Sequence, residues 1–336
     1  MTTAPPTRVL DWLLDSDPAI RWQVLRDLAR APAREVAEER RRIATTGWGA
    51  RLLSLQGQDG QWDGATYWPE ESHTHGSGST DHGDAGPDSP EADGQPWTAT
   101  TYSLLLLRGF GLDPASPQAR RAVSLVRDNA RWDESNQPFF DGETEPCING
   151  MAAAIGSYFG ETVHTVVERL LQDQLDDGGW NCEAERGSTR SSFHSTICVL
   201  EGLLEYEEAG CGTAESRAAR KRGEEYLLDR GLMRRKSTGA IASPDWLLFS
   251  YPTRWFYDVL RGLDYFRAVG GAPDGRLTEA VELVRSKQQP AGTWLLENSH
   301  PGKVHFHLDD GDGHPSRWNT LRALRVLHWH DAAASR

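Results

Sequence analysis

The sequence predicts an all-α protein in which helical hairpins stack into a closed ring. Five apolar, helix-like runs each follow a turn, and the first four end at a glycine, as helix C-termini commonly do. Each run opens on one large or metal-capable residue, namely Trp97, Cys147, His194, Trp255 and Trp318. These residues are 50, 47, 61 and 63 positions apart, a period long enough for two helices and two turns.

Amphipathic segments between the runs predict outer helices. They read SPQARRAVSLVRDNARW, TVHTVVERLLQDQ, AESRAARKRGEEYLLDRG and GRLTEAVELVRSKQQ, with apolar residues at helical spacing and charges opposite. The five repeated runs are apolar almost all round, which favours a ring over an open solenoid. We expect residues 1–46 to form a helical hairpin that packs on the ring, and residues 47–331 to form the ring from about five to six hairpins.

The segment 70–96 does not share this pattern. It is rich in Gly, Ser, Asp and His and has no apolar period, so it is expected to be a flexible insert within the ring. A flexible tract holds no fixed ligand geometry, and its histidines are therefore better interpreted as solvated than as metal ligands.

The composition argues against nucleic acid and the membrane interior as partners. The formal net charge is -13 and no Lys/Arg cluster alternates with aromatic residues, which argues against nucleic acid. No apolar stretch approaches the ~20 residues of a membrane-spanning helix, and the first residues do not resemble a targeting segment. We expect a cytoplasmic protein whose cysteines are reduced, and the Ala, Arg, Asp and Gly usage is typical of a GC-rich bacterial genome.

Three turns repeat a tighter motif: QGQDGQW at 56–62, QLDDGGW at 174–180 and QQPAGTW at 288–294. We expect the Gly to permit the turn, the Trp to cover a helix end and the Gln to bind backbone groups of the neighbouring hairpin. The motif resembles the Gln-Trp repeats of squalene-hopene cyclases and protein prenyltransferase β subunits. This resemblance covers most of residues 47–330 and implies an α/α toroid with inner helices around a central cavity.

The reactions differ between members of this family, so the fold alone does not define the chemistry of the site. The Asp-x-Asp-Asp acid by which class II cyclases resemble one another is absent, and the nearest string, at 309–312, has another order. Prenyltransferase β subunits are more similar, with a zinc-binding Asp-x-Cys at one inner-helix start and a His within Tyr-His-Thr at the next. The corresponding strings here are Glu-Pro-Cys ending at Cys147 and Phe-His-Ser-Thr around His194.

These residues predict a Zn²⁺ site. Zinc prefers thiolate and imidazole ligands, and a catalytic zinc keeps three protein ligands and one open position. Cys147 and His194 open neighbouring inner helices, Cys182 is the favoured third ligand, and Glu145 is the fourth ligand or a base. Packing alone, a thiol nucleophile at Cys147 with His194 as its imidazolium partner, and a disulfide from Cys147 to Cys182 remain alternatives.

Aromatic and polar residues near the inner-helix starts predict a substrate pocket. They are Trp97, Asn149, Phe193, Arg254, Trp255, Tyr257, Arg317, Trp318 and Asn319. Aromatic walls suit an apolar or cationic substrate. Asp258 is either an inward-facing general base or an ion-pair partner of Arg254 or Arg261 on the same helix. His305 and His307 alternate like strand residues, and one of them is expected at the cavity mouth as a catalytic group.

The function expected from these residues is that of a zinc-dependent enzyme acting on a small, largely apolar molecule. The metal would activate water, a thiol or a leaving group in hydrolysis, elimination or group transfer, while Asp258 or Glu145 moves the proton. One alternative is a prenyltransferase or non-squalene terpene cyclase acting on an isoprenoid. Another is a non-catalytic toroid that binds a lipid or a peptide.

One departure bears on the isoprenoid alternative. Prenyltransferases resemble each other in Arg and Lys residues that clamp diphosphate shortly before the zinc Cys, whereas this chain reads QPFFDGETEPC there and is acidic. The sequence also gives no support for the α-subunit partner that a protein prenyltransferase needs.

Overall fold

The computed structural model describes residues 7–68, 95–133 and 136–334, so the expected insert at 70–96 lies outside the described residues except for its last two positions. These residues form an all-α fold, as predicted. Its α-helices are α1 (Thr7–Leu14), α2 (Pro18–Asp27), α3 (Ala33–Arg41), α4 (Gly47–Ser54), α5 (Thr100–Phe110), α6 (Pro117–Asn129), α7 (Pro146–Phe159), α8 (His164–Gln172), α9 (Phe193–Glu208), α10 (Ala214–Leu228), α11 (Val259–Val269), α12 (Thr278–Ser286) and α13 (Arg317–Ala334).

The inner helices form a closed ring. Helices α5, α7, α9, α11 and α13 contact one another in chain order, and α13 returns to α5 through α2 and α4. Trp22 of α2 donates its indole N–H to the carbonyl of Phe110 in α5 at 2.7 Å, and Arg325 of α13 pairs with Asp27 of α2 at 2.6 Å. A short antiparallel ladder joins β1 (Trp294–Leu295) to β2 (Pro315–Ser316).

The predicted outer segments form α6, α8, α10 and α12, which pack on the inner helices. Among the described residues, no helix combines the length and the apolar character that crossing a membrane would require. Each inner helix is thereby covered by an outer helix or by another inner helix, which accounts for its largely apolar sequence.

The residues that open the five repeated runs do not all start a helix. Cys147, His194 and Trp318 are the second residues of α7, α9 and α13, as expected. Trp97 and Trp255 instead precede α5 and α11 by three and four positions, so the predicted helix starts there are wrong. The reason at α11 is that Asp258 caps this helix, with its side chain accepting from the backbone N–H of Arg261.

The three Gln-Trp turns share one set of contacts. Trp62, Trp180 and Trp294 are fully buried, and each indole N–H donates to a carbonyl ten residues earlier, at 2.7, 2.6 and 2.7 Å. Each Trp backbone N–H also donates to a threonine hydroxyl of the next inner helix, at 3.2, 3.0 and 2.9 Å. The threonines are Thr100, Thr196 and Thr320. Nothing in the Gln-Trp motif identifies these threonines, although they stand near the starts of α5, α9 and α13.

Two of the glutamines bind neighbouring hairpins as predicted. The side-chain amide of Gln56 donates to the carbonyl of Ala122 in α6 at 2.9 Å, and that of Gln174 donates to the carbonyl of Ala219 in α10 at 2.8 Å. Each also donates to a carbonyl within its own turn. The expected clamp, in which the Trp covers a helix end and the Gln ties the next outer helix, is confirmed for these turns.

Helices α7 and α9 approach closely because glycines face each other. A Cβ atom on Gly150 would lie 2.5 Å from the carbonyl carbon and oxygen of Cys198, and one on Gly202 would lie 2.4 Å from the carbonyl oxygen of Gly150. Only a residue without a side chain permits this backbone contact. The first turns of α7 and α9, which carry Cys147 and His194, are therefore held side by side.

The middle Gln-Trp turn gives a matched test of this packing. Gly178 has φ +98° and a Cβ there would lie 2.7 Å from the carbonyl oxygen of Arg222, whereas Gly187 has φ +93° with no atom within 4 Å. We expect Gly187→Ala to lower the free energy of unfolding by about 1 kcal/mol, from backbone strain alone. Gly178→Ala should lower it by about 1–3 kcal/mol more, through overpacking, in urea titrations of both variants. Equal losses would show that the turn is not packed against α10.

Candidate active site

A carboxylate and two thiols form a group that could hold a metal ion. The ligand atoms of Glu145, Cys147 and Cys182 all lie within 4.8 Å of one another, and we call these residues the thiol-carboxylate group. The thiol of Cys147 donates to Oε2 of Glu145 at 3.4 Å, and the two sulfurs are 2.8 Å apart. The structure thus brings together three of the four predicted zinc ligands, with both cysteines free rather than joined in a disulfide.

Local structure explains how the group assembles. Glu145 is the N-cap residue of α7, and Cys147 lies in its first turn. Cys182 begins a short 3-10 helix two residues after Trp180 and is held against α9, because its backbone N–H donates to the hydroxyl of Ser195 at 3.3 Å. The middle Gln-Trp turn therefore carries Cys182 to the start of the helix that packs beside α7.

His194, the fourth predicted ligand, is not a member of this group. Its Nδ1 accepts the backbone N–H of Tyr257 at 2.8 Å. Its ring packs against Trp246, Trp255 and Phe256, with centroids 5.5 to 5.9 Å apart. An imidazolium carries a proton on Nδ1 and cannot accept there, so this hydrogen bond disfavours the alternative in which His194 is the cationic partner of a Cys147 thiolate.

The protonation state of the thiol-carboxylate group follows from burial. The hydrogen bond with Cys182, together with burial, raises the pKa of the Cys147 thiol well above its usual value. A helix N-terminus alone lowers the pKa of a thiol, but here a second thiol and burial outweigh the helix end. Glu145 is exposed overall, yet burial of its carboxyl end beside the thiols raises the pKa of that carboxyl as well.

The donor set fits Zn²⁺. Two thiolates and one carboxylate are ligands that zinc takes, and three of them leave the fourth tetrahedral position open. Two thiolates on tetrahedral zinc lie about 3.8 Å apart, so the sulfurs of Cys147 and Cys182, at 2.8 Å, would separate by about 1 Å on binding. A cation would also reverse the pKa shift of Cys147, because metal binding releases the thiol proton.

Aromatic side chains from several inner-helix starts meet near this group. The central aromatic cluster consists of Trp97, Tyr102, Tyr251, Trp255, Phe256 and Trp318. Neighbouring ring centroids in it lie 3.8 to 6.1 Å apart. The guanidinium of Arg254 lies 5.3 Å from the ring centroid of Trp97 and interacts with both Tyr102 and Tyr251, which connects the two halves of the cluster.

The thiol-carboxylate group lies beside the central aromatic cluster. Burial raises the pKa of Tyr67 and of Tyr102 well above the usual range, and the Cys147 thiol contributes to both shifts. Glu145 also contributes to the shift of Tyr67, whose ring is 5.2 Å from that of Tyr102. Cys147 therefore lies near the part of the cluster that contains Tyr102 and Trp97, whereas Trp318 stacks on Tyr251 and on Phe110 at the other end of α5.

The other predicted pocket residues bind main-chain groups or pack. Asn149, Tyr257, Arg317 and Asn319 donate to backbone carbonyls at 2.7, 2.6, 3.3 and 3.0 Å, respectively. The ring of Phe193 packs against Trp246 and Tyr257. Loops that enter and leave inner helices expose unpaired backbone groups, and these side chains satisfy several of them. A role in substrate binding stays a prediction for these five residues.

Asp258, one of the predicted proton-transfer residues, serves as a helix cap in the structure. Asp258 is buried and caps α11, accepting the backbone N–H groups of Arg261 at 2.7 Å and Ser250 at 3.2 Å. Among the described residues, its carboxylate pairs with Arg322 at 4.0 Å and not with Arg254 or Arg261, and Arg261 pairs with Glu201 at 2.8 Å. Two backbone bonds already occupy the carboxylate, and a role as general base stays a prediction.

The strand-like alternation predicted at His305 and His307 is wrong. The backbone at 303–308 forms bends without strand pairing among the described residues, because the carbonyl of Lys303 instead accepts the N–H of Trp97 at 2.8 Å. His305 is half-buried with Nε2 3.1 Å from the hydroxyl of Ser103, and His307 is exposed. These histidines therefore do not stand at equivalent positions.

Asp309, in the string nearest to the missing cyclase acid, holds the start of α13. Its Oδ2 accepts the hydroxyl of Ser316 at 2.7 Å and its Oδ1 accepts the backbone N–H of Arg317 at 3.1 Å. Burial nevertheless raises the pKa of Asp309 to about 6. This carboxyl thus titrates close to neutral pH while it serves a capping role.

This shift predicts a pH-dependent stability. Because folding raises the pKa of Asp309, the unfolded chain binds fewer protons between about pH 4 and 6, and the free energy of unfolding falls as pH rises through that window. Relative to Asp309→Asn, the unmodified protein should lose about 2–3 kcal/mol between pH 4 and 7. Urea titrations at several pH values measure the gap, with Asp245→Asn at an exposed residue as control; a gap that does not change with pH would contradict the shift.

Comparison with known proteins adds little beyond this geometry. No protein-family model and no curated protein matches the chain. Among solved structures, the chain is similar to the apo type II terpene cyclase MstE from Scytonema, with 16% sequence identity and a TM-score of 0.42 over 95% of this chain and 88% of that chain. The overlay is loose, and the all-α ring described above is established by the helix contacts of the chain itself.

Proposed function

We propose that the protein is an enzyme that converts an isoprenoid-type molecule. The observation that carries this proposal is the central aromatic cluster. Residues at the starts of several inner helices contribute its rings, and the thiol-carboxylate group lies beside it. Aromatic rings offer apolar area to an isoprenoid chain, and their negative faces stabilise positive charge that develops along it. Terpene cyclase or prenyltransferase chemistry is thereby favoured over hydrolysis of a small apolar molecule.

Charge near the group favours an isoprenoid without a diphosphate. Glu145 itself and the nearby Asp141 and Glu143 make the approach to Cys147 acidic, and a diphosphate would be repelled there. A cyclisation that starts by proton transfer needs no diphosphate. Glu145 is suited to move the proton, because burial raises the pKa of its carboxyl and this carboxyl interacts with Tyr67 at the edge of the cluster.

Conversion assays test this proposal. The purified protein is incubated with farnesol, geranylgeraniol, squalene and farnesyl diphosphate, and products are identified by gas chromatography with mass spectrometry. A new product is expected from an isoprenoid without diphosphate, and Glu145→Gln should lower its rate of formation by about 100-fold or more. Glu185→Gln, at an exposed residue of the short 3-10 helix that begins at Cys182, is the control and should keep the rate.

Each outcome of these assays decides a separate point. Conversion that persists in Glu145→Gln would remove this residue from proton transfer. Diphosphate release from farnesyl diphosphate would favour prenyltransferase chemistry. Binding of the isoprenoids without any conversion would favour the non-catalytic binding toroid, and the absence of both binding and conversion would reject the proposal.

A second candidate function is zinc-dependent group transfer at the same place, and the observation that favours it is the thiol-carboxylate group. Cys147 and Cys182 would hold the ion as thiolates and Glu145 would be the third ligand. A bound zinc supplies a Lewis acid that polarises a substrate oxygen or activates a water or thiol. The aromatic cluster would then bind the apolar part of the substrate.

Metal content separates the two candidates. If zinc binds, the purified protein should contain about one ion per chain, and both Cys147→Ala and Cys182→Ala should lose it, because neither leaves two thiolates at the site. Cys211→Ala, at an exposed cysteine outside the group, should retain the metal. Zinc is measured by plasma mass spectrometry, together with free thiols. No zinc and four free thiols would reject the metal candidate, whereas two missing thiols that return on reduction would show a disulfide.

A further inference from the structure

One buried arginine has no carboxylate partner. Arg254 is 9% exposed and its Nη1 has no hydrogen-bond partner. The other buried arginines of the described residues pair with acids at 2.6 to 3.7 Å, and they are Arg220, Arg261, Arg322 and Arg325. No carboxylate among the described residues lies within ion-pair distance of Arg254. A buried charge without a partner is costly, so its presence requires an explanation.

The surroundings hold the Arg254 side chain in place without neutralising it. Its backbone has φ +56°, a left-handed conformation that is costly for a residue with a side chain and that is often found at functional sites. Its guanidinium lies over the ring of Trp97 at 5.3 Å, which attracts the cation but accepts no hydrogen bond in the manner of a carboxylate. Burial lowers the pKa of Arg254 to about 10, so the group stays charged at neutral pH.

Two more buried nitrogen atoms, one at each half of the central aromatic cluster, have no hydrogen-bond partner among the described residues. They are Nε2 of His300 and Nε1 of Trp318. The His300 ring stacks on Phe256 at 4.0 Å, and Trp318 stacks on Tyr251 at 4.3 Å, so both belong to or touch the central aromatic cluster. Burial, reinforced by the charge of Arg254, lowers the pKa of His300 to about 3, and His300 is therefore neutral. Buried polar atoms are normally hydrogen-bonded, and the two exceptions beside Trp97 and Phe256, Nη1 of Arg254 and Nε2 of His300, indicate an absent ligand.

We infer that Arg254 binds the carboxylate of an isoprenoid-type acid, with Nε2 of His300 available to its head group and the chain lying on the central aromatic cluster. The isoprenoid part of this inference rests on the proposed function. The guanidinium fork matches a planar carboxylate with two parallel hydrogen bonds. One guanidinium cation balances the single negative charge of a carboxylate, whereas a diphosphate would remain largely uncompensated.

Binding measurements test the inference. Dissociation constants are measured by isothermal titration calorimetry for farnesoic acid, farnesol, farnesyl diphosphate and palmitic acid. Farnesoic acid should bind about 30-fold or more tightly than farnesol, and Arg254→Met should abolish this preference while farnesol binding stays the same. Arg276→Met, at an exposed arginine paired with Glu225 at 2.8 Å, is the matched control and should keep the preference.

The outcomes distinguish the head group from the chain. Equal binding of farnesoic acid and farnesol overturns the inference and leaves the isoprenoid function standing. Palmitic acid bound as tightly as farnesoic acid supports the carboxylate site but overturns the isoprenoid function. Tightest binding of farnesyl diphosphate overturns the single-charge argument, and no binding of any probe overturns both.

The unfolding temperature shows whether the Arg254→Met variant is correctly folded. Removing a buried charge without a partner should raise the unfolding temperature of the ligand-free protein, so Arg254→Met is expected to be more stable than the unmodified protein even as it loses the preference for the acid. A lower unfolding temperature would show that the charge is already compensated and would overturn the inference.

Discussion

The ring depends on one repeated tie between an outer helix, a turn and the next inner helix. In each Gln-Trp turn, the indole N–H of the Trp donates to a backbone carbonyl of the preceding helix. The backbone N–H of the same Trp donates to a threonine hydroxyl of the next inner helix. In the middle Gln-Trp turn, the same contacts also position a candidate metal ligand. Trp180 binds Thr196, and Cys182, two residues further on, binds the hydroxyl of Ser195. The position of a candidate metal ligand is therefore set by the same contacts that hold two helices together.

A second constraint brings the other thiol to the same place. The contact of Gly150 with Gly202 allows α7 and α9 to approach at backbone distance, and Cys147 lies three residues before that contact. Two cysteines that are 35 residues apart meet because a turn fixes one and a helix contact fixes the other. Neither constraint involves a ligand, so the thiol-carboxylate group is formed by the fold itself and is preorganised for whatever it binds.

The sequence predicts those parts of the structure that repeat. The Gln-Trp spacing defines the turns, and the fold brings together the predicted ligands Glu145, Cys147 and Cys182. His194, which shares its helix-start position with Cys147, is not in this group. Structural features that occur only once in the chain could not be predicted from a repeat. Asp258 delays the start of α11, which leaves residues 253–257 outside the helix and lets a backbone N–H reach His194. His300 lies in an irregular segment without period, so no pattern could associate it with Arg254.

The unpaired Arg254 cannot be attributed to a shortage of acids, because the chain carries 49 acidic and 36 basic residues. What surrounds it is aromatic, and Tyr102 interacts electrostatically with both Arg254 and Cys147. A head group bound at Arg254 would therefore lie between the two halves of the aromatic cluster, and a chain that follows the half with Trp97 and Tyr102 would run towards the thiol-carboxylate group. Anchoring of this kind fixes the distance from the head group to the reacting carbon, so that the position of reaction is set by the protein and not by chain length.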